Sequence, residues 1–192
     1  MLNLNDLAQF INSKVPSAAA KVNAAAEAVC DSAIEVAPAS ILDVAKSLKD
    51  NSKYPFNVLQ VISGVDYPDH IEVNYMFANF DLNNAYEFTL KTKVKNKNDA
   101  KLESISSVYK AADWQERECY DMLGVTFNNH PDHRRILCPD DWEGFPLRKD
   151  YVVQKVYRGM EVNPDAKMNW GDREFAKRQE EITKAQTKAS KK

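Results

Sequence analysis

The sequence lacks the features that mark several common protein classes. It contains no run of about 18 apolar residues, so no segment is predicted to span a membrane. Its start, MLNLNDLAQF, has neither the basic region nor the apolar block of a secretory signal, and we expect the chain to stay in the compartment where it is made. Neither GxGxxG nor GxxxxGK[ST] occurs, so no phosphate-binding loop is predicted.

The net charge is small, and the number of cysteines is low. The formal net charge is -2, which gives no bulk electrostatic reason to expect nucleic acid as a partner. The three cysteines, Cys30, Cys119 and Cys138, form no CxxC pair, which argues against a disulfide framework and against zinc or iron–sulfur binding by this chain. We interpret them as reduced thiols, with Cys119 as a small core residue.

Periodicity predicts an α+β fold, in which helices cover a small, mostly antiparallel sheet with one polar face. Apolar residues recur at helical spacing near the N-terminus and after Ser40, whereas the middle of the chain alternates apolar and polar residues. A hairpin is predicted at Tyr67-Pro68-Asp69. The predicted elements are helices at 4–11, from 17 and from 40, and strands at 33–38, 57–67, 70–77 and 85–95.

The periodic pattern ends near residue 127. The following stretch mixes Pro, Asn, Asp and Gly with aromatic residues and arginines, and the last thirty or so residues are strongly polar. Long irregular segments of this kind have a functional reason or lie on a partner. We therefore predict an α+β domain at 1–127 and, at 128–192, an irregular C-terminal arm and polar tail that dock on a partner subunit.

Residues 113–123 are predicted to form a charged helix. Asp113 has the spacing of an N-cap, and Gly124 stands where a left-handed C-cap is expected. Glu116 falls on the apolar face of this helix. Because an unpartnered buried carboxylate is costly, we expect either a basic residue close to it or a helix-start hydrogen bond.

The opposite face of this helix carries an aromatic ring among charges. Trp114, Arg117, Glu118 and Asp121 share that face, and Trp and Arg are enriched at the centres of protein interfaces. A protein interface is the main interpretation, and a solvated face with one exposed Trp is the alternative.

Two chemical hypotheses start from the same stretch. Glu116, Glu118 and His130 have the chemistry of general acids and bases, but no recognisable nucleophile turn accompanies them. A stand-alone metal-dependent hydrolase would be built on His130, His133, Asp132 and Glu116, although no closed four-ligand spacing occurs. The alternative for His130 is a loop anchor that hydrogen-bonds the backbone. No catalytic, cofactor-binding or metal-binding residue is therefore predicted in this chain.

Three motifs follow one another between residues 111 and 151: W-x-E-R-E-x-x-D-M-x-G, H-P-x-x-R-R-I-L and D-W-x-G-x-P-L-R-K-D-Y. Their order and spacing resemble the C subunit family of the proton-pumping NADH:quinone oxidoreductase, respiratory complex I. Asn129 stands where that family usually has Gly, and Asn tolerates a left-handed backbone. The resemblance assigns packing and docking roles to Trp114, Glu116, Arg117, Glu118, Asp121, His130, Pro131, Arg134, Arg135, Trp142, Gly144, Pro146, Leu147, Arg148, Lys149 and Asp150.

The resemblance implies a peripheral-arm subunit whose C-terminal segment lies along the quinone-site (D) subunit, with other peripheral-arm subunits as further partners. It implies no cofactor in this chain, since FMN and the iron–sulfur clusters belong to partner subunits. NADH oxidation, quinone reduction and proton translocation would be activities of the assembly. The implied location is peripheral, at the cytoplasmic face of the inner (plasma) membrane, held there by partners.

Three alternatives stay open at this point. The chain could be the equivalent subunit of a related membrane-bound hydrogenase or of a coenzyme F420-linked or ferredoxin-linked dehydrogenase, because donor specificity lies in other subunits. The other two are the metal-dependent hydrolase and a non-enzymatic adaptor outside respiration.

Overall fold

The computed structural model describes residues 2–23, 33–81 and 85–162. The chain divides into two compact units, Met1–Tyr151 and Val152–Lys192. The first unit extends past residue 127, where the α+β domain was predicted to end, and includes the first part of the predicted arm. Three predictions lie partly or wholly outside the described residues: the end of the Ala-rich helix with Cys30, most of the turn before residue 85, and the polar tail.

The first unit contains three helices and seven strands in its described residues. They are α1 (Leu4–Lys14), β1 (Lys21–Asn23), β2 (Ala33–Val36), α2 (Ile41–Lys49), β3 (Val58–Asp66), β4 (Ile71–Asn79), β5 (Tyr86–Val94), β6 (Lys101–Glu103), α3 (Ala112–Leu123) and β7 (Thr126–Asn128).

A five-stranded sheet forms the centre of this unit, in the order β1-β2-β5-β4-β3. Its pairs are antiparallel except β2 with β5, which run parallel. The predicted hairpin joins β3 to β4, and the Tyr67 amide donates to the His70 carbonyl at 2.9 Å. The predicted α+β fold is therefore confirmed.

The two faces of the sheet differ as predicted. The outer face carries cross-strand ion pairs, Lys93 with Glu35 at 2.7 Å and Lys91 with Glu72 at 3.4 Å. The inner face packs apolar strand residues against apolar residues of α1 and α2. Burial of this single face supplies the main stabilisation of the sheet, since the hydrophobic contribution grows with the apolar area removed from water. Fully buried members of this core are Leu7, Ile11, Ile41, Val44, Leu48, Ile71, Val73, Tyr75, Phe77 and Leu90.

The predicted second N-terminal helix is wrong for the described residues up to Asn23. A 3-10 turn at Pro16–Ala18 is followed by Ala19 in a left-handed conformation, with φ of 46°, and then by β1. Helix propensity is a weak preference that tertiary context overrides, and pairing of β1 with β2 supplies that context here.

A second, two-stranded sheet leads to the charged helix. β6 and β7 pair in parallel, with Leu102 opposite Phe127, on either side of α3 in the chain. Both residues are buried, so the small sheet fixes where α3 begins and where the chain leaves it.

The second unit contains a short hairpin in its described residues. β8 (Val156–Tyr157) and β9 (Met160–Glu161) pair antiparallel. Arg158 and Gly159 between them have φ of 48° and 78°, the two positive values that a type I′ turn requires. Within the ranges described for both units, no helix has the length and apolar character needed to cross a bilayer.

Candidate functional site

Helix α3 carries the first of the three sequence motifs. It begins at Ala112 after Ala111, which provides no side-chain cap, so the prediction of Asp113 as N-cap is wrong. Asp113 instead lies in the first turn, where a carboxylate faces the positive end of the helix dipole. The predicted left-handed C-cap is confirmed: Gly124 has φ of 74°, and its amide donates to the Tyr120 carbonyl at 2.8 Å.

The second and third motifs complete the C-terminal end of α3. The last four carbonyl oxygens of a helix have no partner inside it. Here Arg135 Nη1 donates to the Asp121 carbonyl at 3.2 Å, and the Leu147 amide donates to that of Met122 at 3.0 Å. Arg148 Nε donates to the Leu123 carbonyl at 2.5 Å. With the Gly124 amide on Tyr120, all four carbonyls have donors, and two of these donors are cationic, as the negative end of the helix dipole favours.

The Asp121 carboxylate anchors the second motif. It is fully buried, and its Oδ2 accepts the amides of Ile136, Leu137 and Cys138 at 3.0, 2.6 and 2.8 Å. Its Oδ1 accepts Arg135 Nη1 at 2.7 Å. Burial alone would raise the pKa of Asp121, but these four donors together hold that pKa below its usual value.

Arg135 also connects the second motif to the third. Its Nη2 donates to the carbonyls of Trp142 and Gly144, at 3.1 and 2.9 Å. The guanidinium groups of Arg135 and Arg148 both lie over the Phe145 ring, 5.3 and 4.6 Å from its centroid. One aromatic ring therefore packs against both cations that close the helix.

Arg117 holds the turn of the second motif from another side of α3. Its Nε and Nη2 donate to the carbonyls of Arg134 and Arg135, at 3.1 and 3.2 Å. Its Nη1 lies 3.5 Å from the Asp132 carboxylate. Asn129 begins this turn with φ of 60°, which confirms the left-handed backbone expected where the family usually has Gly.

The third motif is anchored to the end of β3 as well. The Asp66 side chain is fully buried, and its Oδ2 accepts the Lys149 amide at 2.7 Å. Lys97 lies 2.5 Å from Asp66 Oδ1, and the Lys97 carbonyl accepts Arg148 Nη2 at 2.8 Å. Residues 129–151 therefore pack onto the rest of the first unit through buried charged groups.

Glu116 lies in a pocket between α3, residues 104–106 and the His130 turn. It is fully buried; its Oε1 accepts the Ile105 amide at 2.8 Å, and its Oε2 lies 2.6 Å from Ser104 Oγ. Burial is the main cause that raises the pKa of Glu116 to about 7, and the Asp113 charge adds to it. The predicted burial of Glu116 is confirmed, and the His130 ring lies beside it, with Nε2 at 3.7 Å from Oε2.

His130 is the backbone anchor that one interpretation of the sequence proposed. Its Nε2 lies 3.0 Å from the Asp113 carbonyl, and its Nδ1 accepts the Asp132 amide at 3.0 Å. His133 Nε2 accepts the Phe127 amide at 3.0 Å, and burial lowers the pKa of His133. In the described ranges, no group of three or more His, Cys, Asp or Glu side chains could share a metal ion.

The predicted interface face of α3 is only partly open. Arg117 and Asp121 are buried under residues 129–148 of the chain itself, whereas Trp114 is 67% exposed and Glu118 is exposed. The motif residues thus separate into two groups. The first group has side chains that are buried or bonded inside the chain, or carbonyls that accept Arg135: Glu116, Arg117, Asp121, His130, Arg135, Arg148, Trp142 and Gly144. The second group has exposed side chains: Trp114, Glu118, Pro131, Arg134, Leu147, Lys149 and Asp150. Three of these, Arg134, Leu147 and Lys149, are bonded inside the chain through their backbone. Pro146 is partly buried.

Four residues of this region were not predicted from the sequence: Asp66, Ser104, Ser106 and Gln115. The Gln115 amide pairs with the edge strand β3, accepting from the Ile62 amide at 2.5 Å and donating to the Gln60 carbonyl at 3.2 Å. It covers backbone groups at an irregularity between Leu59 and Val61, where an edge strand is otherwise open to further pairing. An isolated Gln gives no sequence signal for such a contact.

Comparison with known proteins agrees with the motifs. The model of the family described as respiratory-chain NADH dehydrogenase, 30 Kd subunit, matches residues 34–157. The chain belongs to this family. The matched segment runs from the second residue of β2 through β5 and α3, and it includes all the residues that close the C-terminal end of α3.

Individual family members align over a similar length of the chain. The C subunit of the NADH-quinone oxidoreductase of Chlorobium phaeobacteroides is 45% identical over 121 residues, which is 62% of this chain and 72% of that protein. Its counterpart from Chloroherpeton thalassium is 46% identical over 121 residues, but these make up 49% of that longer protein. The fold matches a chain of the membrane-bound sulfane sulfur reductase, an archaeal respiratory membrane complex, with a TM-score of 0.61, 24% identity, and coverage of 77% of this chain and 85% of that one.

Proposed function

We propose that this member of the 30 Kd subunit family is a peripheral-arm subunit of an NADH:quinone oxidoreductase, and that it holds partner subunits in register. Its relatives in Chlorobium and Geobacter are named as the C subunit of that enzyme. Electron transfer needs fixed distances between redox centres, and a subunit without redox chemistry supports it by positioning its neighbours.

The division of the motif residues carries this proposal. The charged side chains of Asp121, Arg135 and Arg148 form hydrogen bonds within the same chain. The motif therefore forms a rigid surface rather than a reactive centre. Apolar side chains remain exposed on that surface, with Trp114 at 67%, Leu137 at 62% and Leu147 at 61%. Large exposed apolar side chains on a rigid support are the usual anchors of protein interfaces.

We assign this surface to the quinone-site (D) subunit, with other peripheral-arm subunits as further neighbours. FMN and the iron–sulfur clusters would lie in partner subunits, and NADH and quinone would reach the chain only through the assembly. Proton translocation would likewise belong to the assembly. Association with the cytoplasmic face of the membrane would depend on partners.

The test is recovery of the assembled enzyme through an affinity tag on this chain in its native host, after membranes are solubilised in mild detergent. We expect the wild-type chain to bring flavin, iron–sulfur and quinone-site subunits together with NADH:quinone reductase activity. Hydrogenase-type partners would instead support the related complexes, and soluble partners alone would support an adaptor.

A matched pair of variants tests the docking surface. Trp114→Ala combined with Leu147→Ala removes two exposed anchors, and Phe80→Ala removes an exposed side chain outside the motifs, where Phe80 is 59% exposed. Because all three side chains are exposed, we expect little change in the stability of the purified chain. Recovery of partners should fall at least about tenfold for the double variant only, in the range of interface hot spots. Equal recovery from both variants would contradict the docking surface.

A further inference from the structure

The Glu116 carboxyl is buried without a formal positive charge beside it. Among the described residues, His130 is the basic group close to it, with Nε2 at 3.7 Å from Oε2. The Asp132 amide donates to His130 Nδ1 at 3.0 Å, and an amide can donate only to a ring nitrogen that carries no hydrogen. The His130 ring is therefore neutral, with its proton on Nε2, and it does not balance a negative charge on Glu116.

The other groups that face Glu116 add no positive charge either. Tyr75, on β4, is fully buried, and burial raises the pKa of its hydroxyl well above the usual value. Burial also raises the pKa of the Cys119 thiol, on α3, to about 12, so both groups are neutral near pH 7. Asp113 contributes a negative charge that raises the pKa of Glu116 further. Burial and the Asp113 charge therefore favour the protonated form of Glu116, and only the hydrogen bonds from Ser104 and the Ile105 amide favour the ionised form.

A pair of serines gives Glu116 a hydrogen bond in both protonation states. Ser104 Oγ lies 2.6 Å from Glu116 Oε2 and 2.8 Å from Ser106 Oγ, and either serine can be the donor of the second bond. Next to the carboxylate, the Ser104 hydroxyl donates to Glu116 and accepts from Ser106. Next to the carboxylic acid, Ser104 Oγ accepts a hydrogen bond from the Glu116 O–H, and the Ser104 hydroxyl donates to Ser106 Oγ. No heavy atom has to move.

We propose that Glu116 is a proton-binding site of the folded protein, at which one proton from solvent converts the carboxylate to the carboxylic acid while the two serine hydroxyls reverse direction. The Ile105 amide donates to Oε1 in both states. Because the pKa of Glu116 is raised to about 7, occupancy of the site changes across the neutral range. Proton release places a negative charge directly beneath the His130 turn that residues 129–151 use to pack on α3.

The site can be observed in the wild-type full-length chain by NMR titration with glutamate labelled at its carboxyl carbon. We expect one glutamate carboxyl to titrate near pH 7. Glu116→Gln should remove this late titration. Glu118→Gln, which changes an exposed carboxyl on the same helix, should leave it in place.

Ser104→Ala tests the serine pair without removing the carboxyl. The hydrogen bond from Ser104 lowers the pKa of Glu116, because a hydrogen bond to the ionised carboxylate is stronger than one with the neutral acid. The substitution should therefore raise the midpoint by about one pH unit. This variant and the wild-type titration keep the test decisive if Glu116→Gln fails to fold.

Three results would overturn the proposal. The first is a wild-type chain in which every glutamate titrates below pH 5. The second is a Ser104→Ala midpoint equal to that of the wild type. The third is a His130 ring whose nitrogen shifts show two bound protons at pH 7, because a charged His130 beside an ionised Glu116 would be a buried ion pair and not a proton site.

Discussion

Replacing Asp121 by Ala tests how the motifs hold together. The substitution removes a fully buried carboxylate that accepts three consecutive backbone amides and one guanidinium. The amides of residues 136–138 then lose their acceptor, and the Arg135 side chain, only 12% exposed, loses its counter-ion. The segment that closes α3 should therefore detach or rearrange.

The expected cost follows from these contacts. A hydrogen bond to a charged group contributes roughly 1.5–3 kcal/mol, and removing one partner of a buried ion pair costs about 3–5 kcal/mol. The four contacts of Asp121 share one carboxylate and are not additive, so we expect Asp121→Ala to lose about 4 kcal/mol of unfolding free energy. Asp121→Asn keeps one acceptor oxygen and should lose roughly half as much.

Denaturant unfolding of the purified chain measures this loss, with Glu118→Ala as the control on the exposed side of the same helix. The control should change stability by less than about 0.5 kcal/mol. Because the folded-state pKa of Asp121 lies below its ordinary value of 3.8, its contribution is present above pH 3.8 and disappears as pH falls through the folded pKa. A loss below about 1 kcal/mol at pH 7, or an equal loss at pH 7 and below the folded pKa, would refute the anchoring role.

The two glycines that contact α3 give further predictions. Gly124→Ala forces a left-handed residue and places a Cβ atom 2.5 Å from Phe145 Cε2, so thermal unfolding should show a loss of roughly 2 kcal/mol or more. Gly64→Ala places a methyl group against Leu123 Cδ1 and should cost about 1–3 kcal/mol. Adding Leu123→Ala to Gly64→Ala should recover part of that second loss in a double-mutant cycle, and strict additivity would contradict the contact.

Periodicity predicted the elements with long, regular patterns. β3, β4 and β5 are each nine residues long and rich in apolar and β-branched residues, and β5 alternates along its length. α2 buries the four apolar residues that the helical spacing selected. β2 was predicted as a strand at 33–38, but β1, β6 and β7 were not predicted, because strands of three residues carry too little pattern. The parallel pairing of β2 with β5 depends on contacts distant in sequence, which local patterns do not encode.

The sequence predicted the burial of some site residues correctly and of others wrongly, for a physical reason. The helical wheel placed Glu116 on the buried face correctly, because its neighbours on that face are apolar. It placed Arg117 and Asp121 on the exposed face, because a helical wheel does not show that residues 129–148 bury these two side chains. Charged residues can be interior when backbone amides and carbonyls satisfy them, and composition alone does not reveal those partners.

The closure of α3 by later residues has a consequence for the order of folding. During synthesis, α3 emerges before Arg135, Leu147 and Arg148. The last three carbonyls of α3 therefore lack their donors, which follow 14 to 25 residues later in the chain. The Asp66 carboxylate lacks its amide donor for longer, because Lys149 follows 83 residues later. A nascent chain that has emerged from the ribosome as far as residue 147 therefore has a sheet but an incomplete helix end, which is open to chaperones and proteases until the last motif emerges.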